Sequence, residues 1–416
     1  MRNTSSRPTR AVTSITCKPT SGAPRRSRKS TDITGDRASA RAGLLRKSCP
    51  VPWLGQSQPF QSGTDVPGIS GGAKTMKLKT FLAGLVATMI AIPVTAETTL
   101  RIQTAQNSGD FVLTRLNKIW VPKLSAMSGG ALSVELLPIG AVVPHRETPQ
   151  AVSAGILDGE FTVSNYFAGT DPAFAMFGDL IAAYDTPDQA QTFCRNHQGR
   201  DILQSLYDKH FGSNLHVVGC GPYSREALVV AKPIPTLADM KGVKVRAPEG
   251  LAAEIFREVG ATPVSIPFSE VYTALETGLV DAADASALVN NEQLGFHKIA
   301  PYPIYPGIHS QAMAHFAMNK SKWESLSEQE RSILEVWYNA AYDDLRRAAD
   351  LEDRATAADL ATREGVQVID WSAADRQAFR AAARNVWERV SQQSDDAAMV
   401  WAAQQDYLHK AGLLDN

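Results

Sequence analysis

From residue 98 onward, apolar positions follow two alternating periods. TTLRIQTA (98–105) and ALSVELLP (131–138) read as strands, and the segment between them, Phe111 to Met127, spaces its apolar residues as a helix does. ETPQAVSAGILDG (147–159) predicts a short helix ending at Gly159, followed by the strand FTVSN (161–165). This β-α-β-α-β opening predicts a parallel sheet with helices on both faces. A longer helix is expected near Pro187–Phe211, then the strand LHVVGCG (215–221).

REALVVAKP (225–233) is a continuous strand-like run expected to cross between two lobes. After it, MKGVKVRAPEGLAAEIFREVGATPVSIPFSEVYTALETGLVDAAD (240–284) reads as strand, helix, strand, helix, strand. HSQAMAHFAMN (309–319) is long and alternating, and would return the chain to the first lobe. Beyond it no Gly or Pro occurs between Lys320 and Glu364, so one very long or kinked helix is expected. Ser321-x-x-Glu324 and Ser327-x-x-Glu330 are capping-box patterns, and Ser372-x-x-Asp375 is a looser version. The fold class is therefore α/β with two lobes and a hinge. Lobe 1 is expected at 97–222, completed by about 309–350, with lobe 2 at 223–308. Residues 351–416 would be C-terminal helices packing on the lobes.

The first 96 residues change that picture of one folded object. MKLKTFLAGLVATMIAIPVTA (76–96) has two lysines, an apolar run of 14 residues from Phe81 to Val94, and a Val94-Thr95-Ala96 cleavage site. It reads as a secretory signal peptide cleaved near Ala96, too short for the roughly 17–25 residues of a membrane span. Residues 1–75 hold 13 Lys and Arg against 3 Asp and Glu without a sustained apolar period. They are expected to be a disordered, non-native upstream extension, with translation starting at Met76. The exported part, 97–416, then carries 27 Lys and Arg against 40 Asp and Glu. An acidic surface argues against nucleic acid or anionic membrane as partner. It also makes each arginine in a cleft conspicuous. Cys194 and Cys220 remain in this part; export permits a disulfide, and the sequence leaves a bridge and two free thiols equally open.

Arg246 lies near the C-terminal end of a predicted strand. In open α/β sheets that end is where ligands collect, because helix N-termini and loop amides converge there. An arginine at this place suggests an interlobe site for an anion, and a carboxylate fits a guanidinium through two parallel N–H···O bonds. Asn165 and Tyr166 follow another strand end. The chain has no G-x-S-x-G, H-E-x-x-H, P-loop or G-x-G-x-x-G motif, and its eight histidines show no metal-ligand spacing, so an enzyme is not expected.

Several runs together resemble the solute-binding subunit of TRAP (tripartite ATP-independent periplasmic) transporters. They are KPIPTLADMKGVKVRAPEG with GATPVSIPFSEVYTALETGLVDAAD, MSGGALSVELLPIGAV, AVSAGILDG and NYFAGTDPAFAMFGDL, which span most of 97–350. The resemblance implies the two-lobed fold of periplasmic solute-binding proteins, with a long interlobe helix. It also implies capture of a small organic acid in the periplasm and delivery to membrane permease subunits driven by an ion gradient. The alternatives are an exported binding protein serving a sensor kinase or an ATP-driven (ABC) importer. Arg246 matches the family's carboxylate-clamping arginine, Arg225 a second arginine, and Phe268 an aromatic wall of the site. Where many members have Glu-Asn, this chain has Asp284-Ala285. An acidic residue there matches the branch that binds 2-oxoacids or hydroxyacids, so Asp284 is a candidate metal ligand for a calcium or sodium ion bridging the ligand. Some relatives pair through their C-terminal helices, which extends the expectation to a homodimer. His145 and Arg146 are further candidates, in a loop of the first lobe.

Overall fold

The computed structural model describes residues 97–307 and 310–414. The segments expected to be an extension and a signal peptide, 1–75 and 76–96, lie outside the described residues.

The chain opens with β1 (Thr98–Thr104), α1 (Phe111–Arg115), α2 (Val121–Met127), β2 (Leu132–Leu137), α3 (Thr148–Ser153) and β3 (Gly159–Val163). A π-helical turn, Leu116–Trp120, joins α1 to α2, so the helix expected over 111–127 is continuous but locally widened. Next come α4 (Pro172–Gly178), α5 (Pro187–Asn196), α6 (Gly199–Phe211) and β4 (Leu215–Pro222). The single helix expected over 187–211 is thus two, broken at His197–Gln198. Helix α4 was not anticipated, although Asp171-Pro172 is an N-cap followed by proline at N1. The Asp171 carboxylate accepts the Ala173 amide at 2.8 Å.

The second unit holds β5 (Ala227–Val230), β6 (Lys244–Arg246), α7 (Leu251–Glu258), β7 (Thr262–Val264), α8 (Val271–Glu276), β8 (Ala282–Ser286) and α9 (Leu288–Gln293). The chain then returns through β9 (Met313–Asn319) to α10 (Lys320–Ser325), α11 (Glu328–Leu360), α12 (Ala373–Ser391) and α13 (Asp395–Lys410).

Two sheets result. The first has the order β2-β1-β3-β9-β4 and the second β5-β8-β6-β7. Strands β1, β2 and β3 are parallel, as the β-α-β-α-β opening requires. The first sheet is nevertheless mixed, because β9 enters antiparallel to both β3 and β4. Its direction is set by its arrival from the second lobe, which no local pattern encodes.

The 33-residue helix α11 is about 50 Å long at 1.5 Å per residue. Its start is the Ser327 capping box: Ser327 Oγ accepts the Glu330 amide at 3.2 Å and Glu330 Oε2 accepts the Ser327 amide at 2.8 Å. Ser321 does not cap α10; that helix begins one residue earlier, and Asn319 caps it by accepting the Lys322 amide at 3.0 Å. Helix α11 ties the lobes together. Trp337 Nε1 donates to the Trp120 carbonyl at 2.7 Å, and Arg115 grips Asp344 through bonds of 2.8 and 2.9 Å. Farther along, Asp353 accepts the Val289 amide at the start of α9 at 2.7 Å.

Burial of the tail is extensive. Trp323, Trp337, Trp371, Trp387 and Trp401 are all buried, and they are core residues. Cys194 on α5 and Cys220 on β4 form a disulfide, with Cα atoms 5.9 Å apart. Among the described residues no helix is long and apolar enough to cross a membrane.

Candidate functional site

The parallel strands β6 and β8 end side by side, with Arg246 in register with Ala283. Their C-terminal ends therefore bring Arg246, Asp284 and Ser286 to one end of the second sheet. The 3-10 turn Ser164–Phe167, just past β3, brings Asn165 and Tyr166 to the facing end of the first sheet. Phe268, at the turn before α8, supplies an apolar side. These five predicted residues, Arg246, Asp284, Asn165, Tyr166 and Phe268, line one cavity of about 40 Å³, room for a few water molecules.

Arg246 is only 2% exposed. Its Nε donates to the Ile266 carbonyl at 3.1 Å and its Nη1 to the Asp284 carbonyl at 2.5 Å. Among the described residues Nη2 is buried with no hydrogen-bond partner, and so is Asn165 Oδ1 across the cavity. A buried guanidinium nitrogen left unpaired is costly, so both atoms are hydrogen-bonding positions still open inside the cavity. Burial raises the Tyr166 hydroxyl above its ordinary pKa, and the Arg246 charge pulls it partly back.

Arg225 does not join this group. Although one residue from the cavity lining, it points the other way. Nη1 donates to the Gly307 carbonyl at 3.4 Å, and Nη2 to the Asp185 carbonyl. Its neighbour Glu226 takes the cleft-facing position and was missed in the sequence. Glu226 is buried, and burial together with the adjoining Asp284 carboxyl, to which it hydrogen-bonds, pushes its pKa well up. The only available signal was that neighbouring residues on an extended segment face opposite sides.

The remaining candidates surround the cavity mouth. His145 packs edge-on against Tyr166, with ring centroids 4.7 Å apart. Its pKa is held down at about 4, by burial first and then by Arg146 and Arg246, so its ring is neutral. Arg146 reaches across to Glu249 at 3.1 Å, joining the two lobes at the surface. At the same seam Gly250 has φ +82°, and a Cβ there would lie 2.8 Å from the Ala168 Cβ and 2.9 Å from the Ala175 Cβ. Only glycine allows that backbone and that closeness. A polar chain runs through the site as well: Tyr223 pairs with Ser286, Asn290 Nδ2 donates to Ser286 at 2.8 Å, and Asn290 Oδ1 accepts the Phe111 amide at 2.8 Å.

The strand ends of two facing sheets thus close on a buried arginine and leave a cleft between them. Residues 103–393 match the model of the bacterial extracellular solute-binding proteins, family 7. A TRAP periplasmic solute-binding protein from Rhodobacter sphaeroides, solved in an apo open form, is 34% identical with a TM-score of 0.63; the match covers 77% of this chain and 100% of that one. A monocarboxylate 2-oxoacid-binding periplasmic protein of Nostoc is 28% identical over 188 residues, 44% of this chain and 50% of that relative, so the match spans half of its length. A TRAP solute-binding protein from Pseudoalteromonas atlantica, solved with bound sodium and pyruvate, shares the fold at 22% identity and a TM-score of 0.66, covering 76% of this chain and 95% of that one. The chain belongs to family 7 of the bacterial extracellular solute-binding proteins, the periplasmic solute-binding proteins of TRAP transporters.

Proposed function

We propose that this protein captures a small organic acid, of the 2-oxoacid or hydroxyacid class, and holds its carboxylate on Arg246. The observation that carries this reading is the buried, unpartnered Nη2 of Arg246 inside an interlobe cavity. A carboxylate there completes a fork whose other nitrogens are already committed to Ile266 and Asp284. Tyr166 and Asn165 meet the far side of the ligand, and Phe268 packs against its carbon skeleton.

Charge balance inside the cavity favours a bridging cation, calcium or sodium. Arg246 supplies one positive charge, while Asp284 and Glu226 together can supply two negative ones. Burial and their mutual hydrogen bond keep a proton on that pair in the empty cavity. A hard cation held by Asp284, Glu226 and Asn165 Oδ1 takes the proton's place, and all three present oxygen donors of the kind such ions take. The 2-oxoacid named for the Nostoc relative, and the sodium and pyruvate in the Pseudoalteromonas protein, support the same reading.

In this account the chain is exported with cleavage near Ala96, and works as a binding protein without catalysis. Lobe 1 comprises 97–222 and about 309–350, and lobe 2 comprises 223–308. The loaded protein delivers its acid to TRAP permease subunits. A thermal-shift screen of 2-oxoacids, hydroxyacids and sugars, each with and without calcium or sodium, tests the assignment. Stabilisation by the acids supports it; stabilisation by sugars alone overturns it.

A further inference from the structure

Arg225, turned away from the cleft, faces a different environment. It forms part of the wall of two cavities, of about 530 and 270 Å³, on the other side of the crossing segment. The larger is bounded by Asp188 at the start of α5, by Arg225 and Tyr305 in the crossing segments, and by Arg346, Arg347 and Arg354 along α11. The smaller adds Arg376 and Arg380 of α12. Six arginines thus line two cavities that meet at Arg225, on a protein whose exported part is strongly acidic.

The acids nearby are largely committed. Arg346 holds Asp188 at 2.7 Å, and Arg354 holds Asp350 at 2.8 Å. Arg376 pairs with Asp370 and Arg380 with Asp185. Asp353 gives one oxygen to the Val289 amide. Arg225, by contrast, bonds main-chain carbonyls alone among the described residues, those of Gly307 and Asp185. Burial and the charge of Arg376 beside it both lower its pKa. This half-buried guanidinium has a cationic neighbour, and the acids near it, Asp185, Asp350 and Asp353, act on it only at a distance while bonding other groups. Guanidinium forks match carboxylate and phosphate oxygens in pairs.

We propose that the larger cavity is a second anion site, separate from the cleft, which takes a small molecule carrying two or more negative charges on Arg225 and Arg347. Its walls come from the start of α5, from the segments around Arg225 and Tyr305, and from α11.

Citrate and pyrophosphate serve as probes, titrated calorimetrically into the exported protein at constant ionic strength. The variants are Arg225→Gln, Arg347→Gln and Arg246→Lys. Saturable binding of either probe is expected in the wild type and in R246K, weakened at least tenfold in R225Q. Arg347 is exposed, so R347Q shows the same loss even where R225Q does not fold. No saturable binding by either probe overturns the proposal. So does binding that R225Q and R347Q leave unchanged, or binding that only R246K abolishes, which would assign it to the cleft.

Discussion

Arg246 donates Nη1 to the main-chain carbonyl of Asp284 at 2.5 Å, so the cation and the acid of the cleft are fixed to each other by backbone geometry. The Asp284 side chain is thereby left to act with Glu226, whose carboxyl adjoins it. One half of the cavity is set for a carboxylate and the other for whatever balances two acids.

That pairing predicts separable defects. Glu226→Gln and Asp284→Asn should each weaken calcium-dependent stabilisation by an organic acid by more than about tenfold, or roughly 1.4 kcal/mol. Calcium titration followed by thermal shift measures this. An undiminished calcium effect in both variants rules out the bridging ion.

Gly250→Ala places a methyl group where the lobes touch, on a backbone with φ +82°. Strain of this kind costs about 1–3 kcal/mol. Denaturant unfolding should show a loss of that order, with weaker acid binding alongside it.

Two buried aspartates predict the pH dependence of stability. Burial is the main cause that pushes Asp110 and Asp353 up to about 7, outweighing the amide hydrogen bonds that pull them down. The folded state therefore binds more protons than the unfolded chain, whose aspartates titrate near 3.9. Their contribution is complete below about pH 4 and is lost as pH rises through about 7. Asp353→Asn keeps an acceptor for the Val289 amide but removes one titration, so the decline in thermal midpoint between about pH 4 and 7 should become shallower.

The Cys194–Cys220 bridge closes a loop with a sequence separation of 26. Chain entropy gives such a crosslink about 3.5 kcal/mol. The double variant Cys194→Ala/Cys220→Ala should lose stability of that order in calorimetric unfolding, and reductant should no longer affect it.

The elements of the fold were largely legible because each carries its own period. Ser327 and Ser372 start their helices where their patterns place them, and Arg246 stands at the C-terminal end of its strand. What the sequence hid depended on distant chain. The antiparallel entry of β9 follows from its return path, and the cysteine pair from how α5 lies against β4. At Arg225-Glu226 the facing was not legible: two polar neighbours point to opposite sides, and Glu226, not Arg225, lines the cavity. No pattern in a single extended segment says which side will be covered.

The central claim is that Arg246 carries the ligand's carboxylate. Calorimetric titration of the most stabilising acid into the wild type and Arg246→Lys tests it directly, with circular dichroism confirming that both are folded. Each charge-assisted bond contributes about 1.5–3 kcal/mol, so losing one predicts affinity lower by roughly 10- to 100-fold. Equal affinity in the two proteins would contradict the account.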